Sequence, residues 1–191
     1  MKNLFKTGLS TCALAMLMTG CGTTEAQDAA SMELATEQQE LIGQCDPAET
    51  EEVIEHSCIH AESGPFQAVT AAAPGTVPLV DVNLPHTAYT VTLPGSCGQY
   101  GGSVIFTAEE TTEYAFLQSR YQGLRIFDGT TEVGLECRSY ISASACGALK
   151  NIAIAPLEAG KDYRLEFRAT LASDAQFTLL VEEAAHEHEH E

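Results

Sequence analysis

Five of the chain's six histidines fall in two short acidic stretches. "EHSCIH" holds His56, Cys58 and His60. The chain ends in "HEHEHE", where His186, His188 and His190 alternate with glutamates. Imidazole nitrogen is a borderline ligand suited to zinc, copper or nickel, and nearby carboxylates strengthen the local field for a cation. The chemistry on offer is ligation of a divalent transition metal, zinc foremost. The sixth histidine, His86 in "NLPHTAYT", stands alone at a strand edge and reads as structural or surface-exposed.

Backbone geometry decides which residues of the first cluster can act together. On a helix, at about 100° per residue, Cys58 lies about 200° round from His56, whereas His60 and Glu52 lie about 40° to either side of it. The helical constellation is then Glu52, His56 and His60, at i, i+4 and i+8, and Cys58 turns inward with Ile54 and Ala61. On a strand, residues 56, 58 and 60 would share a face instead. The flanks favour the helix: Asp46 suits an N-cap, Pro47 the first helical position and Glu49 a capping box. Glu51 and Glu52 add negative charge where the helix dipole welcomes it, and "SGP" stops the helix near residue 62.

In the tail, an extended backbone points the three imidazoles one way and the glutamates the other. Chelation by such a segment must first order it, so it binds modestly and exchanges readily. The competing reading is a solvated acidic terminus.

Signs of catalysis are lacking. "HSCIH" has Ser57 where the zinc-protease pattern "HExxH" has its general base. No "GxSxG" occurs, and the glycine-rich "PGSCGQYGG" lacks the lysine of a phosphate loop. We therefore expect a protein that is not an enzyme.

The amino terminus, "MKNLFKTGLSTCALAMLMTGCG", has two lysines, an apolar stretch over about residues 9–18 and then small residues. That stretch is shorter than the roughly 20 residues a permanent span needs and has the make-up of a signal peptide. "LMTGC" resembles the lipobox of bacterial lipoproteins. The resemblance implies cleavage after residue 20 and acylation of Cys21, palmitate included. With Gly22 in place of the aspartate of inner-membrane retention, it implies an outer-membrane, lipid-anchored protein facing the periplasm or the surface.

Removing residues 1–20 removes two lysines and no acid, leaving seven cations against 27 acids, a formal charge of 7 − 27 = −20. Such a surface repels phosphate backbones, so nucleic acid is excluded as a partner. The partners expected are the membrane, through the lipid, and a membrane transporter or receptor.

Residues 22–44 are polar and acidic and read as a tether, with a weak helix possible over 32–42. Residues 45–64 form the helical segment. From residue 65 the pattern changes to period two: Val80, Val82 and Leu84; Tyr89, Val91 and Leu93; Tyr163, Leu165 and Phe167; Phe177, Leu179 and Val181. Each reads as a strand with one buried face, and "GLRIFDGTTEVGLEC" as two strands about an Asp128-Gly129 turn. The expected fold is all-β, an antiparallel, jelly-roll-like β-sandwich over 65–183 with one short N-terminal helix, ending in a His/Glu tail over 184–191. The succession "TVTLP", "LRIFDG", "LEAGKDYRLEF" and "FTLLVE" resembles the bacterial pre-peptidase C-terminal (PPC) type β-sandwich, an accessory module of secreted proteins. That resemblance spans about residues 85–183 and implies fold and extracytoplasmic habit only.

Beyond Cys12 and Cys21 there are five cysteines: Cys45, Cys58, Cys97, Cys137 and Cys146. An oxidising compartment favours disulfides, and an odd count leaves at least one outside intramolecular pairs. A continuous helix would hold Cys45 and Cys58 about 19 Å apart, beyond the roughly 7 Å a disulfide tolerates. Cys137–Cys146, closing a loop after a strand, is the favoured pair. The leading functional expectation is an extracytoplasmic metal-binding lipoprotein that buffers or delivers the ion. The alternative is a non-catalytic β-sandwich adhesion or assembly module with incidental histidines.

Overall fold

The computed structural model describes residues 42–184. The signal segment, Cys21, most of the tether and the histidines at 186, 188 and 190 lie outside these residues.

Helix α1 (Pro47–Ser63) begins where the capping residues place it. The Asp46 carboxylate accepts from the Ala48 amide at 2.9 Å, and Pro47 takes the first position, where a missing N–H costs nothing. Gly64 ends the helix at φ 78°, a left-handed conformation that glycine adopts without a Cβ penalty.

Eleven strands follow: β1 (Phe66–Thr70), β2 (Ala88–Thr92), β3 (Gly95–Ser96), β4 (Gln99–Thr107), β5 (Thr112–Gln118), β6 (Gly123–Asp128), β7 (Thr131–Val133), β8 (Cys137–Tyr140), β9 (Asn151–Leu157), β10 (Asp162–Ala169) and β11 (Gln176–Glu183). A single 3₁₀ turn, Ala172–Asp174, lies between the last two. The strands form a six-stranded sheet in the order β1-β2-β11-β5-β9-β8 and a five-stranded sheet in the order β3-β4-β10-β6-β7. Pairing is antiparallel throughout except β1–β2, which is parallel. Over the described residues this is the expected all-β sandwich with one helix.

The main core lies between the sheets. Tyr89, Val91, Phe116, Leu165, Phe167, Phe177 and Leu179 point into it, as the period-two pattern requires. The six-stranded sheet is buried on its other face as well. Ala115, Leu117, Ile152, Ile154 and Leu180 form a second core with Val53 of α1. This accounts for the near-continuous apolar runs "YAFL" in β5 and "NIAIA" in β9, since strands covered on both faces need no polar side.

Two expectations change. "LVDVNL" alternates in burial at Val80 and Val82 but forms no strand of its own; Leu84 is exposed. It lies as an extended strap along β4, held by Val82 N–H to the Ile105 carbonyl at 2.9 Å and Ile105 N–H to the Val80 carbonyl at 2.8 Å. Pro78 and Pro85, which lack the N–H that a ladder needs, bound it.

The second change is in the cysteines. Cys137 and Cys146 do not pair with each other; the disulfides among the described residues include Cys45–Cys137 and Cys58–Cys146. Residues 43–45 run beside β8, with Arg138 N–H bonded to the Gly43 carbonyl and Cys45 N–H to Ser139 Oγ, and this delivers Cys45 to Cys137. Cys146 follows β8 in a loop under α1, where the inward face of the helix presents Cys58. A pairing that staples α1 to the sheet at both ends replaces one that would close a local loop.

Candidate metal centre

The inward face of α1 sets the outward one. With Val53, Ser57 and Cys58 turned to the sheet, His56 and His60 emerge together one turn apart, with ring centroids 4.8 Å from each other. A third ring joins them. His86 stacks on His60 at 4.9 Å and meets His56 edge-on at 4.8 Å. One ligand atom from each of His56, His60 and His86 lies within 4.8 Å of the other two. The cluster can hold a metal ion.

His86 arrives by backbone geometry. Pro85 and His86 form a turn before β2, and His86 has φ 55°, uncommon for a residue with a Cβ. β2 pairs with β11 through Tyr89–Leu179. Extending that antiparallel register by three residues sets His86 opposite Glu182. The two do meet: His86 Nδ1 lies 3.1 Å from Glu182 Oε2. Glu182 is only 4% exposed because it follows Leu180 on the sheet face that α1 covers.

Acceptor-only partners fix the tautomers. A carboxylate and a carbonyl can only accept, so Nδ1 of His86 carries its proton toward Glu182. His60 Nδ1 does the same toward the Gly64 carbonyl at 3.1 Å. In its neutral form each of these two rings then has a bare Nε2 with which to ligate. His56 Nε2 sits 2.9 Å from His86 Nδ1 and accepts from the same proton. A metal-binding histidine typically has its second nitrogen held by a carboxylate or carbonyl in this manner. Ligands about 2.0–2.1 Å from a tetrahedral ion lie about 3.3 Å from one another. Holding such an ion would require the three rings to rotate toward one another and His56 to give up its bond to His86.

His86 and Glu182 also border a hollow of about 190 Å³ walled by Asn83, Glu109, Tyr114 and Glu183. Burial pushes the Tyr114 hydroxyl above its ordinary pKa despite its bond to the Glu110 backbone, so it stays a neutral phenol. The hollow offers carboxylates to an approaching cation.

Of the residues singled out by sequence, His56 and His60 come together. Glu52 lies one turn earlier on α1 and is not among the three clustered residues. Cys58 points away, as the helical spacing requires. His86 and Glu182 were missed: 30 residues separate His56 from His86, and no local pattern links them. No protein-family model matches the chain, and no curated protein is significantly similar to it. Among the described residues no helix is long and apolar enough to cross a membrane.

Proposed function

We propose that this protein is a lipid-anchored, extracytoplasmic β-sandwich that binds one divalent transition metal, zinc foremost, through His56, His60 and His86, and buffers it or passes it to a membrane partner. The observation that carries the reading is the convergence of three imidazoles, two of them held at Nδ1 by an oxygen. Three neutral nitrogens with a fourth position left to solvent or a partner group suit zinc, copper or nickel rather than magnesium or calcium. The rings are half-buried, which favours exchange over permanent retention. The acidic surface and the carboxylate-walled hollow draw cations toward the site. Disulfides fit an oxidising compartment, and Cys21 in "LMTGC" supplies the anchor.

Calorimetry with zinc on the purified chain tests the reading. His186, His188 and His190 are replaced by alanine to isolate the folded site. One ion should bind per chain, and His60→Ala should weaken it at least about a hundredfold. Absence of binding by zinc, copper and nickel would overturn the proposal and leave the β-sandwich interaction module. Anchoring is tested separately: Cys21→Ala should abolish lipid labelling, and unchanged detergent partitioning would refute it.

A further inference from the structure

At the end of the sandwich where β11 begins, an open depression of about 430 Å³ is lined by Ser119, Arg120, Tyr121, Ile141, Lys150 and Asp174, among others. About 20 Å of strand, from Gln176 to Glu182, separates this end from the histidines at roughly 3.3 Å per residue.

Three features set the depression apart. The first is charge. It gathers two of the chain's nine cations in a protein of net charge −18. Arg120 is only loosely paired, 4.0 Å from Asp174. Lys150 donates to the Gly147 carbonyl, an uncharged partner. Arg125, Lys161 and Arg164, by contrast, are each within 3.1 Å of a carboxylate. The second is an aromatic wall. Tyr121 is 64% exposed and is braced edge-on by Tyr140, itself 80% exposed, at 5.3 Å. Two aromatic rings held against each other in water bury little of their own surface and present a rigid face to a ligand. The third is a fixed base. The side-chain amides of buried Asn151 and Gln118 meet at 2.8 Å, and Gln122 donates to the Asp174 carbonyl at 2.6 Å. These bonds hold the three converging loops in register beneath the depression.

We propose that this depression binds a carboxylated saccharide, a uronic-acid unit of an acidic glycan. The C–H face of the sugar ring packs on Tyr121. Arg120 and Lys150 receive the carboxylate, for which the planar guanidinium provides a paired donor set. Asp174, Ser119 and Ser173 offer acceptors and donors to the hydroxyls. A neutral sugar would leave both cations unanswered. A simple inorganic anion would not use the aromatic face. The inference is independent of the metal reading, because no residue is shared between the two sites.

The test is titration of the intact chain with an oligogalacturonate, its methyl ester and a neutral oligosaccharide of equal length. The readouts are calorimetry and tyrosine fluorescence, which no tryptophan obscures. The acid should bind about tenfold or more tightly than its ester, the worth of a charge-assisted contact. Lys150→Met and Arg120→Met should each erase that preference. Tyr121→Leu, which keeps bulk but has no aromatic face, should weaken acid and ester alike. Circular dichroism checks that these exposed replacements leave the fold intact. Equal binding of acid and ester, or no binding of the acid at about 10 mM, would overturn the proposal. So would retention of the acid preference in both cation variants. Binding should persist in chelator and in the His86→Gly variant; its loss there would also refute an independent site.

Discussion

The two ends of β11 carry opposite chemistry. At its carboxyl end Glu182 meets His86, and the surroundings are imidazole and carboxylate. At its amino end Asp174 adjoins Arg120, Lys150 and the Tyr121–Tyr140 pair. The difference lies in which layer builds each end. The first site needs α1, a helix laid on the outer sheet face and held by disulfides. The second is made from strand-connecting loops and a buried amide layer, and takes no residue from α1. A single sandwich thus presents one end whose site takes its ligands from α1 and one whose site takes none, although Cys146, between Ile141 and Lys150, ties a loop of the second end to the helix.

Breaking the staple should produce the largest effect. Replacing Cys58 and Cys146 by serine opens a link spanning 88 residues of sequence. Loss of such a link typically costs about 2–5 kcal/mol, the upper end applying to long loops. Denaturant unfolding should report that loss, and zinc affinity should fall with it as His56 and His60 lose their register to His86. The main core between the sheets should persist in near-ultraviolet dichroism. Unaltered zinc affinity in the serine variant would show that α1 needs no tether.

Removal of His86 comes next and sharpens the comparison, because it leaves α1 in place. His86→Gly suits φ 55° better than any residue with a side chain, so backbone strain is relieved while the ligand is lost. Relief of strain is opposed by loss of the bond to the buried Glu182 carboxylate, so apo stability should fall modestly, and zinc affinity should drop at least about a hundredfold. Glu182→Gln should cost less, about ten- to a hundredfold, since the carboxylate acts on the metal through His86. An amide still accepts from Nδ1–H, so a null effect would show that the negative charge is irrelevant. Acidification should weaken binding in all these proteins, because each imidazole must be unprotonated to ligate.

The smallest effect concerns an acidic pair on the outer face. Glu113 has a raised pKa, first from its hydrogen bond with Glu136, then from partial burial and from the charges of Glu136 and Glu49. A carboxyl whose folded pKa exceeds its unfolded value binds more protons when folded. Its contribution to stability is thus present at low pH and lost as pH rises from the ordinary glutamate range through the raised value. Glu113→Gln should flatten that part of the stability profile and leave the protein slightly more stable at neutral pH. The group is only partly buried, so the gain should be small. Urea midpoints that fall equally with pH in both proteins would refute this.

Much of the scaffold was legible because it rests on short-range rules. Asp46 and Pro47 start α1, Gly64 ends it, and the alternation in "DYRLEF" and "FTLLV" gives strands whose odd residues enter the core. The spacing of His56, Cys58 and His60 also settled which of them faced the sheet. What local pattern could not supply was anything set by the stacking of layers. "LVDVNL" alternates like a strand yet becomes a strap, since strand formation depends on a partner edge and not on alternation alone. Cys45 finds Cys137 because residues 43–45 run beside β8, and Cys58 finds Cys146 because α1 lies across the outer sheet. His86 read as a lone histidine, and Glu182 as one acid among many, until the β2–β11 register set them opposite each other beneath the helix. Periodicity records which face of an element is buried. Only the tertiary structure decides what lies against that face, because contacts between distant residues depend on the packing of whole layers and leave no trace in either segment alone.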